Sequence, residues 1–408
     1  MPEYLIKKSL HPELTVAELT AILGSDFELK NFNHDYFQLK TTTILNQTWL
    51  NQVGSISEIN EIIAKIDPKS LEDEDTITYF QAETGEFALN FIPEHCVNRN
   101  VKNALLKAIK AKLKTDLNKK SRFLNKNFAN TKAAYILKEG FIKGKIAVWQ
   151  LILAPDRNIL ITKLTALQNI LSYSFRDYEK PLRDNFRGMF PPKLAQIMIN
   201  LAVNHEDNSK QQTIFDPFCG IGTVNMEALL MNYNTIGSDI DPYAIKDSQQ
   251  NLTWLQKEYQ TFADYKLSEQ DATKLDQSKL DLSQVTAIAT EGYLGKPRTK
   301  APTKEEAQQS INEITPIYEN FFKSLKKKLN RELNICICLP VYKTNTQELV
   351  FCKNIVENLE SLGYIRRALI ENELISQLGL SLTPQKNLLY LRKDQNVGRE
   401  IIKLAIKI

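Results

Sequence analysis

From Pro191 onward, short apolar runs alternate with stretches of helical period. The pattern predicts a helix over 193–203 and strands at 214–216, 235–240, 265–270, 285–290 and 334–341. Long helices are expected over 304–329 and 347–362. Two closing strands, 365–371 and 387–392, have no clear helix between them. Strands alternating with helices imply a parallel sheet covered on both faces, and the closing pair implies an antiparallel edge. Before Pro191 the pattern reads as two smaller α/β units. The first has strands at 4–7 and 36–39, a helix over 16–23 closed by Gly24, and a second helix over 56–66 ending before Asp67-Pro68. The second has strands at 87–92 and 146–153 around a helix at 101–117, whose Val101, Leu105, Ile109 and Leu113 recur every fourth residue. The charged stretch R-D-Y-E-K-P-L-R-D-N-F-R at 176–187 lacks periodicity and reads as the linker into the last domain.

Composition adds bounds. The 408 residues, 43% hydrophobic and 25% charged, suffice for two or three domains with their own cores. No stretch approaches the roughly 18 continuous apolar residues of a membrane span, and the first ten residues lack a secretory signal pattern. The five cysteines are odd in number and lack C-x-x-C spacing, and the four histidines are scattered, so neither a disulfide framework nor a metal site is expected. A reducing cytoplasm fits best.

The net charge of +4 is unevenly distributed. Between Arg99 and Lys126 there are ten basic residues and one acid, Asp116. Lys102, Lys107, Lys110 and Lys114 lie mostly off the apolar stripe, and Lys119, Lys120, Arg122 and Lys126 continue the run with Phe123 and Phe128 interleaved. One reading is a solvated helix face. The other is nucleic-acid binding through phosphate contacts and base stacking.

The chemistry centres on T-I-F-D-P-F-C-G-I-G-T at 213–223: a short strand ending in Asp216, a turn through Gly220 and Gly222, and a helix starting near Thr223. A dinucleotide fingerprint requires glycine where Asn225 stands, and a carboxylate at Asp216 would repel its phosphates. S-adenosylmethionine has no phosphate and carries an ammonium and a sulfonium, which an acid favours. Asp239, in G-S-D-I-D at the next strand end, suits a ribose diol, and Asp271, in E-Q-D-A, suits an adenine amine. A strand-end Asp standing alone is more often a helix cap, but here three follow at successive strand ends. Phe218, Ile240, Ala272 and Pro192 complete the expected cofactor set.

Together D-P-F-C-G-I-G-T, G-S-D-I-D-P-Y-A and G-M-F-P-P-K-L-A-Q-I-M-I-N-L-A at 188–202 resemble the THUMP-containing tRNA guanosine N2-methyltransferases. The N-terminal Y-L-I-K-K-S-L-H-P-E-L-T-V-A-E-L and F-L-N-K-N-F-A-N at 123–130 are similar to that family's accessory and THUMP regions. The resemblance implies an α/β protein with a Rossmann-like class I methyltransferase sheet at 188–408 and a linker at 171–187. It also implies a THUMP-like RNA-binding domain at 71–170 and a ferredoxin-like accessory domain at 1–70. It further implies a tRNA partner, methylation of a guanosine amine (position ten in the best-known members), a monomer, and in some relatives a small activating subunit.

The catalytic motif departs from the family pattern. Amino methyltransferases end the fourth strand with Asp or Asn, two prolines and an aromatic residue, which holds the target amine against the methyl donor. Here the stretch is Thr290-Glu291-Gly292-Tyr293. Tyr293 matches the aromatic, and Glu291 brings an acid one place late that is a candidate for accepting the amine's proton. The competing reading pairs Glu291 with Lys296 or Arg298 at the surface. Cys338, in I-C-I-C-L-P, is weighed as a nucleophile, although alternating cysteines in an apolar strand usually pack a core. Two further alternatives are a binding-only scaffold that has lost the chemistry and a methyltransferase for another RNA or DNA amino group.

Overall fold

The structure is a computed structural model and describes residues 1–118, 120–183, 190–206, 211–329 and 331–407. It divides into two compact units. The first holds residues 1–9, 25–51 and 56–174, and the second holds 10–24, 52–55 and 175–408.

The first unit is built on one sheet of eight strands: β1 (Glu3–Lys7), β2 (Phe27–Asn31), β3 (Tyr36–Thr41), β4 (Glu58–Ile66), β5 (Glu86–Ile92), β6 (Arg122–Phe123), β7 (Ile146–Leu153) and β8 (Ile159–Leu167). Their order is β2-β3-β1-β4-β8-β7-β5-β6. Strand β4 occupies the stretch expected as a helix at 56–66. Its pairing with β8 slips between Ile59 and Asn60 and again between Ile62 and Ala64, so its isoleucines leave strict alternation and imitate a helical period. Because β4 pairs with β8, strands from both sides of the division expected near residue 70 share one sheet.

The expected amphipathic helix forms over Arg99–Leu117, with the Asn98 side chain accepting the Val101 N–H at 3.0 Å. It buries Leu105, Ile109 and Leu113 among Phe87, Leu89, Phe91 and Trp149. Beyond β6, side-chain amides replace a strand along the outer edge of β5. Asn125 Oδ1 accepts the Leu89 N–H at 2.9 Å, Asn130 Oδ1 accepts the Phe91 N–H at 2.8 Å, and Asn130 Nδ2 donates to the Phe91 carbonyl at 2.9 Å. Two of the three asparagines of F-L-N-K-N-F-A-N, Asn125 and Asn130, thus complete backbone pairing.

The second unit holds β9 (Thr213–Asp216), β10 (Asn234–Asp239), β11 (Tyr265–Glu269), β12 (Ala287–Glu291), β13 (Asn334–Lys343), β14 (Leu349–Phe351), β15 (Tyr364–Arg367), β16 (Leu388–Tyr390) and β17 (Val397–Ile406). The order is β11-β10-β9-β12-β13-β17-β15, with β14 on β13 and β16 on β17. The strands from β11 to β13 run parallel, and β17 is antiparallel to β13 and β15. Successive strands leave β9 on opposite sides, so the order reverses between β9 and β12. That reversal opens a crevice at the strands' carboxyl ends, where Asp216 and Glu291 stand.

Two expectations change here. The helix expected at 347–362 is instead β14, hairpinned onto β13, followed by the short helix Lys353–Asn358. Strand β17 was not foreseen, because it carries Arg399 and Glu400, both buried, in mid-strand.

The helix Lys304–Lys328 starts on a Thr303/Glu306 capping box and packs Ile311, Ile314, Tyr318, Phe321 and Phe322 among Phe215, Ile288, Ile335 and Ile337. The helix Pro192–Ala202 packs on the helix Thr223–Leu230, on β12 and β13, and on the helix Pro12–Leu23. Within this group the fully buried Glu18 accepts the Gly54 N–H at 3.0 Å, the Ser55 N–H at 2.8 Å and the Asn200 Nδ2–H at 2.7 Å. Burial raises its carboxyl above the usual range, against the pull of these donors.

Candidate active site

The turn after β9 is shaped by its two glycines. Gly222 has φ +86° and leads into the helix Thr223–Leu230, and a Cβ there would lie 2.4 Å from Ser248 Oγ. Gly220, at φ +52°, faces open space, and its N–H donates to Asp239 Oδ2 at 2.9 Å. Asp216 lies beneath this turn, only 2% exposed. Its Oδ1 accepts the Thr290 hydroxyl at 2.6 Å and the Phe218 N–H at 3.2 Å. Burial pushes the Asp216 carboxyl up to about 7; the two donors oppose the shift, and the charges of Asp239 and Glu291 add to it.

Asp239 is half-buried at the end of β10, its Oδ1 accepting the Asp241 N–H at 3.0 Å. Beside it, Ile240 is 66% and Tyr243 76% exposed, an apolar surface beside a carboxylate. Asp271 caps the following turn, accepting the Thr273 N–H at 2.9 Å and hydroxyl at 2.7 Å, with Lys274 at 3.4 Å. Partial burial works to raise its carboxyl, but these partners hold it below the usual range. Asp271 is thus engaged as a cap, and Ala272 beside it is buried. Pro192 is buried in the first turn of its helix, and Thr223 is buried as well.

The acceptor side differs from expectation. Glu291 pairs with neither Lys296 nor Arg298. Lys296 lies 3.5 Å from Glu313, and Arg298 donates to Ser310 Oγ at 2.7 Å. Glu291 Oε1 instead accepts the Nε–H of Arg399 on β17 in a close ion pair, and the Arg399 guanidinium lies 5.6 Å from the Phe190 ring centroid. Burial raises the Glu291 carboxyl, with Arg399 pulling it back. The Thr290 side chain is fully buried and committed to Asp216.

Gly292 is required by space, since a Cβ would lie 2.3 Å from Tyr318 Oη. That phenol donates to the Tyr293 carbonyl at 3.0 Å, and Tyr342 Oη donates to the Leu294 carbonyl at 2.9 Å. The Tyr293 side chain itself is 42% exposed at the crevice. Cys338 is buried, 3.1 Å from Met198 Sδ, and burial pushes its thiol well above the usual range, so it is core and not a nucleophile. Among the described residues no cluster of metal-ligating side chains occurs.

A family model described as DNA methylase matches residues 28–250, more than half of the chain. The chain belongs to the DNA methylase family. A second model, described as an RMKL-like methyltransferase domain, matches residues 182–350 and includes Thr290 to Tyr293. The chain is similar to the tRNA (guanine(10)-N2)-dimethyltransferase of Methanothermobacter thermautotrophicus, 26% identical over 81% of this chain and 87% of that protein. It is likewise similar to the enzyme of the same name from Methanocaldococcus jannaschii, 25% identical over 81% of this chain and 93% of that protein. A crystal structure of TrmN from Thermus thermophilus aligns over 100% of both chains at 12% identity with a TM-score of 0.49. As a DNA methylase family member with this α/β sheet, the protein is a methyltransferase.

In the same methylase, the basic segment lies in the first unit. Lys107, Lys110, Lys114, Lys120 and Arg122 are exposed; Arg122 lies 3.2 Å from Glu86 and 3.4 Å from Glu139. Lys102 departs from expectation: it is 8% exposed, donates to the Glu94 carbonyl and lies 4.4 Å from the Phe91 ring centroid. Its stem extends the apolar stripe, so it is not presented to a ligand. Phe128 is buried 6.1 Å from Phe91, and the partly buried Phe123 packs 5.4 Å from Phe87. Lys119 and the Lys126 side chain lie outside the described residues. Sequence reasoning missed Arg399, Tyr318 and Tyr342. An arginine and a glutamate immediately before the apolar run I-I-K-L-A-I were the available signal for Arg399, and nothing in the local pattern marked the tyrosines.

Proposed function

We propose that this methyltransferase moves a methyl group from S-adenosylmethionine to the exocyclic N2 of a guanosine in tRNA, at position ten as in the names of its two relatives. The observation that supports it is the reach of that similarity. Both relatives match over 81% of the chain, a span too long for the sheet of the second unit alone.

The corner fits the cofactor: open space over Gly220, a rim carboxylate at Asp239, exposed apolar Ile240 and Tyr243, and the buried acid Asp216 in place of a phosphate-binding cation. When bound, S-adenosylmethionine supplies an electrophilic methyl group on sulfur and leaves as a neutral thioether. Asp239 would hold the ribose hydroxyls, and Asp216 would favour a cationic ligand from below. Tyr293 offers its ring to the flipped base. Once the amine has taken the methyl group, Glu291 would accept its surplus proton. Residues 1–170, divided into an accessory part at 1–70 and a THUMP-like part at 71–170, would position the RNA through the exposed lysines of the helix Arg99–Leu117. A cytoplasmic location goes with this reading.

The test is mass spectrometry of nucleosides from tRNA incubated with protein and labelled cofactor. N2-methylated guanosine is expected, and its absence overturns the reading. The family description favours duplex DNA as the competing acceptor, so tRNA and DNA are to be competed at fixed salt. Preferential methylation of DNA would replace the tRNA reading.

A further inference from the structure

The acceptor loop has few groups left to recognise a base. The Thr290 hydroxyl is committed to Asp216, the Tyr293 carbonyl to Tyr318 and the Leu294 carbonyl to Tyr342. Arg399 is nearly buried, its side chain 7% exposed, while that of Glu291 keeps 21% exposure. A carboxylate offers about four acceptor positions, and the Arg399 Nε–H takes one of them, on Oε1.

We propose that Glu291, oriented by Arg399, selects guanine by accepting hydrogen bonds from its N1–H and N2–H together. The inference rests on the guanosine reading above and names the group that would impose it. On guanine the reactive amine is flanked by a second donor, N1–H, so both edges meet an acceptor-only carboxylate. On adenine and cytosine the reactive amine is flanked by a ring nitrogen with a lone pair, which a carboxylate repels. The acceptor positions of Glu291 that Arg399 leaves open suit such a pair of donors. Arg399 acts as a positioning residue: its guanidinium, lying by the Phe190 ring, fixes the carboxylate plane and favours its ionised form against the upward pull of burial.

The test uses tRNA transcripts in which the guanosine that becomes methylated is replaced by 2-aminopurine, which keeps the amine but exchanges N1–H for a lone pair, or by inosine, which keeps N1–H and lacks the amine. Wild-type protein should methylate the 2-aminopurine transcript about 100-fold or more less efficiently in kcat/KM, because the carboxylate then faces a lone pair. The inosine transcript should compete with the guanosine transcript at nearly equal affinity. Glu291→Gln, whose amide both donates and accepts, should bring the guanine to 2-aminopurine ratio within about tenfold; taking the ratio within each enzyme removes any loss of proton acceptance. Arg399→Lys should move the acidic limb of the wild-type rate profile to higher pH, a shift that a packing role would not produce. If wild-type protein methylates the guanosine and 2-aminopurine transcripts alike, the inference falls while tRNA methylation stands. An unchanged ratio in Glu291→Gln also overturns it. If the guanosine transcript is not methylated, the functional reading falls and takes this one with it.

Discussion

With Asp216 beneath the methyl donor, as in the proposed function, cofactor affinity should depend on pH in a direction that follows from its burial. Its carboxyl sits near 7 in the ligand-free protein, against an ordinary value of 3.8, chiefly because it is buried. A cationic ligand favours the ionised form, so near pH 6 binding must first expel a proton, and near pH 8 it need not. If the bound carboxyl returns to its ordinary range, affinity rises about tenfold from pH 6 to pH 8, roughly 1.4 kcal/mol. The stability of the ligand-free protein moves the other way. A folded pKa raised above the unfolded one gives an acid whose contribution is complete below the unfolded value and lost as pH rises through 7, by up to roughly 4 kcal/mol. Asp216→Asn keeps an oxygen for the Thr290 hydroxyl and the Phe218 N–H but cannot titrate. Dissociation constants for S-adenosylmethionine at three pH values, measured for both proteins, isolate the Asp216 contribution from the cofactor's own titration. The variant should bind more weakly near pH 8, lose the tenfold gain, and melt at a higher temperature than wild type at that pH. Parallel affinity curves for the two proteins would refute the assignment.

Three other outcomes follow from the geometry. Gly292→Ala should lower methyl transfer more than tenfold while leaving cofactor affinity nearly unchanged, because its Cβ would lie 2.3 Å from Tyr318 Oη and 2.6 Å from the ring's Cε1. Arg176→Ala should destabilise the protein by about 3–5 kcal/mol in denaturant unfolding, since it strands Glu227, a 1%-exposed carboxylate held at 2.8 and 3.1 Å. Alanine at Lys107, Lys110, Lys114 and Lys120 together should weaken tRNA binding and flatten its dependence on log salt, whereas Lys102→Ala should lower the melting temperature and leave that slope alone.

The sequence was most legible where one element answers to one local rule. The glycine turn after β9, the acids at strand ends and the Arg99–Leu117 helix all follow from composition at fixed spacing. It was least legible where tertiary pairing overrode local pattern. The bulges that slip β4 against β8 gave its isoleucines a helical rhythm, and β17 hid because its two buried charges look like surface. Glu291 was found, but its partner was not, since Arg399 arrives from a strand 108 residues later. Lys102 and the two phenylalanines were misread for a related reason: a basic, aromatic composition does not tell which side chains a sheet will cover.

The helix Pro12–Leu23 has a consequence for biosynthesis. Its neighbours in sequence belong to the first unit, while its own packing partner is the helix Pro192–Ala202. A ribosome adding about 5–20 residues per second delivers Glu18 and its two backbone donors at Gly54 and Ser55 roughly seven to thirty seconds before Asn200 exists. Until then this largely apolar segment must wait uncovered, and a fragment beginning at residue 175 would lack it altogether. The methyltransferase sheet is therefore a discontinuous folding unit, completed only when the last part of the chain returns to the first.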